Sequence, residues 1–406
     1  MLSRACLSCG ATALGPVMSL GTTPLANGLL RQESLAAPEP RFPLDLAFCE
    51  RCALVQITEI VPPAQLFSDY AYFSSFSDTM VASAKALAVR LVRERALGPD
   101  SLVVELASND GYLLQHYAAA GVPVLGIEPA ANIAKVANER GIRTRSEFFG
   151  LDCARRLAAE GLAADVVHAN NVLAHVPDLN GFVAGIAAVL RPGGVAVIEV
   201  PYVRDLIEKC EFDTIYHEHL CYFSVSALVP LFARHGLALA DIERIPVHGG
   251  SLRVFASGAL AQGPAVTAML GEEEAAGMLG IGHYAGFAGR VAKLRADLLA
   301  LLARLRAEGK RIAAYGASAK GSTLLNYFGI GGETLEYVVD RSTEKQGRYT
   351  PGTRLPIYAP SRLAEDKPDY LLLLSWNFLD EVLAQQEAYR AGGGKFIVPV
   401  PEVRVV

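Results

Sequence analysis

No window of this chain approaches 18 consecutive apolar residues free of charge, which excludes a membrane-spanning helix. The opening residues, Met1-Leu2-Ser3-Arg4-Ala5-Cys6, lack the basic segment, apolar run and small-residue cleavage site of a secretory signal, so a cytoplasmic location is expected. Nor is there a surplus of positive charge: 37 Lys and Arg stand against 42 Asp and Glu, a net charge of −5. That balance gives no general attraction for nucleic acid or an anionic membrane, and neither is expected as a partner. Long disorder is disfavoured too, because 51% of the 406 residues are apolar and only 19% charged. At roughly 150 residues per domain, such a length points to two or three domains.

Cysteine is scarce but patterned. Four of the seven form two C-x-x-C pairs, Cys6/Cys9 and Cys49/Cys52, while Cys153, Cys210 and Cys221 are scattered. In a reducing compartment, paired knuckles favour metal over disulfides. Two knuckles suit tetrahedral Zn²⁺, and the 39 residues between Cys9 and Cys49 add little closure entropy. No histidine competes for the fourth position, so the expected site is all-thiolate, closed to a catalytic water, and structural. The first 60 residues are otherwise rich in turn formers and poor in core, a segment that a metal would staple.

Apolar positions Met80, Ala84, Leu87 and Leu91 predict a helix from Thr79 to about Leu97. From Leu102 to about Val200, short apolar runs alternate with helix-length segments; the runs are 102–106, 124–128, 165–169 and 195–200. This alternation predicts a parallel sheet with crossover helices. After a helix from about Tyr284 to Ala307 it resumes, with strands expected at 311–315, 335–339 and 370–374.

The first of these strands leads into Glu105-Leu106-Ala107-Ser108-Asn109-Asp110-Gly111, and Glu128 ends the second strand 17 residues past Gly111. A strand, a small-residue turn, a helix N-terminus and a distal acid make a nucleotide platform. The phosphate-hugging G-x-G-x-x-G is missing, since Ala107, Asn109 and Asp110 stand where glycines would admit a pyrophosphate. That favours a cofactor without phosphates, S-adenosylmethionine over NAD. Candidate contacts are Glu105, Ala107, Asn109, Gly111, Glu128 and, closing the third of the long strands, Asn170 and Asn171. A Rossmann-like core with no cofactor remains the plainer alternative.

Histidine is also sparse, eight in all, yet two lie in Tyr216-His217-Glu218-His219. A second metal site or a structural cluster would account for it. The functional reading is acid/base chemistry, in which an imidazole takes a proton from carbon while Tyr or a second His stabilises the enolate oxygen. His175 follows the strand that would floor the cofactor cleft and could reach the same pocket.

The ordered set of cysteine knuckles, Asp69-Tyr70-Ala71-Tyr72-Phe73-Ser74-Ser75, the 105–111 loop, Tyr216-His217-Glu218-His219 and the C-terminal blocks resembles the nucleotide-sugar C-methyltransferases. It is most similar to the sugar 3-C-methyltransferases of deoxysugar antibiotic pathways. The resemblance runs over essentially the whole chain. It implies an α/β fold: a class I methyltransferase domain (76–245) between a zinc-binding module (1–75) and a second Rossmann-like domain (246–406) that helps hold the nucleotide-sugar. It further implies S-adenosylmethionine as cofactor and a dTDP-4-keto-deoxysugar as substrate. On this match His219 is the base, Tyr216 and Glu218 its neighbours, and Tyr70 and His175 line the reactive centre.

In the C-terminal part, Ser318 and Lys320 sit where a strand opens into a helix, a favourable anion site for a diphosphate, with Lys345 and Arg348 as further cations and His248 a possible contact at the domain junction. The expected protein is a monomeric small-molecule enzyme. The rival readings are an O- or N-methyltransferase, a non-catalytic nucleotide-binding regulator, and a zinc-ribbon nucleic-acid-binding protein. The last lacks a basic, aromatic-interleaved patch around the cysteines.

Overall fold

The computed structural model describes residues 5–67 and 73–406, which build three sheets. Among these residues no helix is long and apolar enough to cross a membrane.

The N-terminal sheet is antiparallel, with strands Leu14–Pro24, Arg41–Cys49 and Val55–Ile57. Its fourth strand comes from far along the chain: Cys221–Tyr222 pairs with Val55 and Gln56. The residues just after Tyr216-His217-Glu218-His219 therefore complete the sheet that carries the cysteine knuckles.

The middle sheet has seven strands. From one edge they are Thr144–Arg145, Val124–Ile127, Val103–Leu106, Ala164–Asn170, Leu190–Pro201, Ser251–Ser257 and Ala238–Ile245. Numbered along the chain this is 3-2-1-4-5-7-6, parallel through the fifth strand and closed by an antiparallel hairpin. Val103, Val104, Leu106, Val166 and Val167 are buried completely, as strands covered on both faces must be. The hairpin crosses residue 245, so the middle sheet continues past the boundary expected from sequence. The reason is an ion-pair ladder. Arg253 lies 2.7 Å from Glu199 and 3.3 Å from Glu243, and Glu243 reaches Arg90 on the helix Asp78–Glu94. The pairing lets charged residues occupy a sheet interior.

The C-terminal sheet has the order 3-2-1-4-5-6. Its strands are Ile357–Tyr358, Val338–Val339, Ile312–Tyr315, Tyr370–Leu373, Lys395–Val398 and the antiparallel edge Arg404–Val405. In both large sheets the strand order reverses between the first and fourth strands, where open α/β sheets form their ligand crevice. The zinc-type module touches both units. Ser8 is held by Arg234 and Asn180 of the middle unit, and Glu39 accepts from the Gly352 amide and lies 3.4 Å from Arg354.

Candidate active site

The four knuckle thiols lie within 4.8 Å of one another, with Cys6 and Cys52 Sγ atoms 3.4 Å apart and Cys9 and Cys49 3.6 Å apart. Zn–S bonds of about 2.3 Å directed to tetrahedral corners would hold sulfurs at about this separation, so the donor set fits the ion. All four positions are filled by protein.

At the reversal point of the middle sheet, the loop after Val103–Leu106 is held in an uncommon conformation. Ala107 and Asn109 have φ of 54° and 50°, and Gly111 has 80°. A side chain at Gly111 would also run into Ile142. Left-handed backbone at non-glycine residues is typical of sites held for function. Asn171, with φ 55°, forms the opposite lip after Ala164–Asn170, where Asn170 is half-buried. Glu128 clamps the loop: its carboxylate accepts from the amides of Asn109 and Ala130, both at 2.9 Å. Oxygens with no hydrogen-bond partner among the described residues cluster here, on Glu105, Ser108, Asp110 and Asn171. Burial pushes the Glu105 carboxyl well above the usual range, with Glu128 and Asp110 adding to it. Unpaired buried oxygens are costly unless a ligand meets them. A polar, phosphate-free nucleoside fits this cradle. Residues 73–76 lie over it, with the Ser74 amide donating to Asn109 Oδ1 at 2.8 Å and Ser75 Oγ to Asp110. Tyr70, expected at the reactive centre, lies outside the described residues.

The Tyr-His-Glu-His segment folds as a tight loop that turns both imidazoles inward. His219 Nδ1 is 2.9 Å from the Thr214 carbonyl. A carbonyl only accepts, so Nδ1 carries the proton and Nε2 presents its lone pair. Tyr216 Oη then donates to Nε2 at 2.8 Å. The His175 ring meets His219 edge-on with centroids 4.8 Å apart, and its Nδ1 donates to the Glu218 carbonyl at 2.6 Å. Burial lowers the His175 pKa to about 4, so it stays neutral at physiological pH. A proton taken up by His219 therefore faces no charge on that neighbour. Glu218 points away toward the zinc-type module, where Asn27 donates to it at 2.6 Å, and His217 Nε2 donates to the Pro43 carbonyl at 3.1 Å. Four of the five expected catalytic residues thus share one loop or face it, while Glu218 ties that loop to the N-terminal module.

The C-terminal candidates Ser318 and Lys320 lie where the strand Ile312–Tyr315 opens into the helix Ala319–Phe328. Lys320, 9% exposed, donates to Thr214 Oγ1 at 2.6 Å and lies over the Trp376 ring at 4.7 Å. Lys345 is equally buried and donates to the Ala317 carbonyl at 2.9 Å, with Asp340 at 3.6 Å. Ser318 caps the helix Ala319–Phe328 by accepting from the Gly321 amide. Arg348 is half-buried in the turn before Ile357–Tyr358. The Lys320 ammonium is thus engaged by Thr214 and the Trp376 ring, and that of Lys345 by the Ala317 carbonyl and Asp340. At the junction His248 lies in the short turn Val247–Gly249, its side chain outside the description. Gly249 and Gly250, at φ 100° and 150°, bring backbone against the carboxylates of Glu211 and Asp205, where a Cβ would collide.

Thr214, Asp213, Glu211, Trp376 and Asn27 carried no sequence assignment. The only tryptophan of the chain was one available signal. Glu211 is 3% exposed, and burial, against the opposing charge of Lys320, raises its pKa to about 7. Since the folded value lies above the ordinary 4.5, the folded state holds an extra proton between them and loses stability as pH rises through that window. Glu211→Gln is therefore expected to gain about 3 kcal/mol relative to wild type between pH 4.5 and pH 8, at ~1.4 kcal/mol per pH unit. Urea midpoints of both proteins at the two pH values check this; parallel midpoints would place Glu211 in an ordinary carboxylate environment.

Comparison with known proteins then decides the family. Three family models match in order: a zinc binding domain at residues 6–67, a methyltransferase domain at 82–242 and a C-methyltransferase C-terminal domain at 246–401. The C-methyltransferase NovU of Streptomyces niveus is 39% identical over 404 residues, covering 99% of this chain and 96% of that protein. The chain belongs to the C-methyltransferase family. Its middle sheet, 3-2-1-4-5-7-6 with an antiparallel seventh strand, is the class I methyltransferase arrangement, and the enzyme is an S-adenosylmethionine-dependent methyltransferase with a zinc-binding module. More distantly, the ubiquinone biosynthesis O-methyltransferase of Burkholderia thailandensis is 28% identical over 175 residues, 37% of this chain and 70% of that one. The magnesium protoporphyrin IX methyltransferase structure from Synechocystis PCC 6803 aligns at 15% identity and a TM-score of 0.34, over 43% of this chain and 78% of its own.

Proposed function

We propose that this methyltransferase methylates the carbon beside the ketone of a nucleotide-linked 4-keto-deoxysugar, at C-3 of a dTDP sugar, with His219 as the base. The observation that supports it most is the pairing of His219 Nε2 and Tyr216 Oη at 2.8 Å, with Nδ1 fixed on the Thr214 carbonyl. In a ketone, the oxygen and the neighbouring carbon are about 2.4 Å apart, from C=O and C–C bonds of about 1.2 and 1.5 Å. A lone pair and a phenolic O–H side by side match those two atoms. The ketone oxygen takes the Tyr216 hydrogen bond in exchange for Nε2, which leaves Nε2 to accept the proton from carbon. Negative charge then accumulates on an oxygen already bonded to Tyr216, a type of contact worth on the order of 10²–10³ in rate.

His219 keeps the proton as an imidazolium, stabilised through Nδ1–H on the Thr214 carbonyl and unopposed by neutral His175. The cradle around Glu105, Asn109, Glu128 and Asn171 would hold S-adenosylmethionine, which supplies an electrophilic methyl group when bound. An O- or N-methyltransferase needs only a base for a heteroatom proton, so the enolate-matched pair favours carbon.

The base step is separable from transfer. In D₂O, with S-adenosylhomocysteine in place of the methyl donor, each of a panel of dTDP-4-keto-deoxysugars is followed by proton NMR. The enzyme is expected to exchange the hydrogen beside the ketone of its substrate, and His219→Ala to leave it unexchanged. Exchange by the alanine variant at the wild-type rate, or by neither protein on any sugar, contradicts the proposal.

A further inference from the structure

Where the strand order of the C-terminal Rossmann-like unit reverses, its side chains meet residues 212–214, just before the Tyr-His-Glu-His segment. Ile312–Tyr315 and Tyr370–Leu373 are the two strands between which the order reverses. Their exits carry Lys320, near the start of the following helix, and Trp376, where such a fold would ordinarily meet a nucleotide. Here both side chains contact residues 213 and 214 instead. Trp376 Nε1 donates to Asp213 at 2.7 Å, and Lys320 Nζ donates to Thr214 Oγ1 at 2.6 Å while lying 4.7 Å over the indole. Phe212 stacks on Phe328 of the same helix, centroids 4.7 Å apart and planes 19° from parallel.

Thr214 is the hub. Its hydroxyl meets the C-terminal unit, and its carbonyl accepts Nδ1–H of His219 at 2.9 Å and the Tyr222 hydroxyl at 3.4 Å. Asp213 and Thr214 are nearly inaccessible to solvent. A buried ammonium is costly to leave uncompensated, and the Thr214 hydroxyl and the indole face meet it here, with the carboxyl groups of Asp213 and Glu211 nearby.

We infer that Lys320 is a positioning residue for the base: by anchoring Thr214 it orients the carbonyl that selects the Nδ1–H tautomer of His219. The C-terminal unit thereby contributes to proton abstraction without touching the reacting atoms. The inference rests on His219 being the base. It replaces the anion-site role that the position of Lys320 after a strand suggested.

The test uses the full chain with zinc bound and ¹⁵N-labelled histidine. Long-range ¹H–¹⁵N spectra read the tautomer of each ring, and the His219 signals are assigned by their loss in His219→Gln. Wild type is expected to show His219 as the Nδ1–H form. Lys320→Met and Thr214→Val are expected to shift the Nδ1–H to Nε2–H ratio about tenfold toward Nε2–H, and Thr214→Ser, which keeps the hydroxyl, to retain the wild-type ratio. The matching loss of kcat is about 100-fold, the scale of a misplaced reacting group. Unchanged melting temperatures establish that each variant folds, and two independent positions guard against one that does not.

An unaltered His219 tautomer in folded Lys320→Met and Thr214→Val overturns the inference. So does a Lys320→Met enzyme whose only defect is a higher KM for the dTDP sugar, the signature of a diphosphate contact. Failure of the parent proposal looks different: the tautomer shifts as expected, but His219→Ala keeps its turnover.

Discussion

Replacing His219 with alanine is expected to lower kcat by roughly 10³-fold, within the 10²–10⁴ range of a positioned general base. The argument is geometric. One nitrogen is committed to the Thr214 carbonyl and the other faces the Tyr216 hydroxyl, so the residue offers one lone pair in one direction. The loop backbone need not move when the ring is removed, because the His219 amide bonds the Tyr216 carbonyl at 2.9 Å and Leu220 donates its amide to the Ala174 carbonyl at 2.8 Å. Affinity for S-adenosylmethionine should therefore be nearly unchanged by calorimetry while turnover collapses. His175→Gln should lose less, about tenfold, since His175 stays neutral and supports the Glu218 carbonyl. A His219→Ala enzyme with near wild-type kcat, together with an inactive His175→Gln, would reverse the two assignments.

Removing the zinc is expected to have the other large effect. Structural zinc sites bind with about 10–16 kcal/mol of free energy in finger-type peptides, and in this module that energy adds to the packing of buried Leu44, Leu46, Phe48 and Val55. The consequence reaches the active site through three contacts. Cys221–Tyr222 would lose its strand partners Val55 and Gln56, Glu218 its bond from Asn27, and His217 the Pro43 carbonyl. Chelation, or Cys49→Ser, should lower the melting temperature, open residues 5–67 to proteolysis and abolish turnover. Binding of S-adenosylmethionine, whose cradle lies in the middle sheet, should persist. Metal analysis should return one zinc per chain. A Cys49→Ser protein that is protease-resistant and active would show that the knuckles do not hold the catalytic loop.

Much of this architecture is visible in the chain. Buried strands such as Ile312–Tyr315 and Tyr370–Leu373 stand out as unbroken apolar runs, because both of their faces are covered. The repeated C-x-x-C spacing is equally legible, since metal geometry constrains local sequence. The hairpin Ala238–Ile245 and Ser251–Ser257 is not: Asp241, Glu243, Arg244 and Arg253 break the apolar pattern, Asp241 and Arg244 being exposed on the edge strand while buried Arg253 pairs with Glu199 and Glu243.

In the site, His219 and Tyr216 are three positions apart and could be found as a cluster. Thr214 and Lys320 are 106 positions apart, and Asn27 and Glu218 are 191 apart; neither pairing leaves a local signal. Lys320 shows why. A lysine soon after a strand-to-helix turn has the same sequence pattern whether the crevice receives a phosphate or another loop of the same protein.

The central claim is that the methyl group goes to carbon. Incubating the enzyme with S-adenosylmethionine bearing a ¹³C methyl group and a panel of dTDP-4-keto-deoxysugars, then correlating the label through bonds by NMR, tests it most directly. The account predicts a methyl group bonded to the ring carbon beside the ketone, with no coupling partner across oxygen or nitrogen. A label found as an O-methyl or N-methyl group would contradict it.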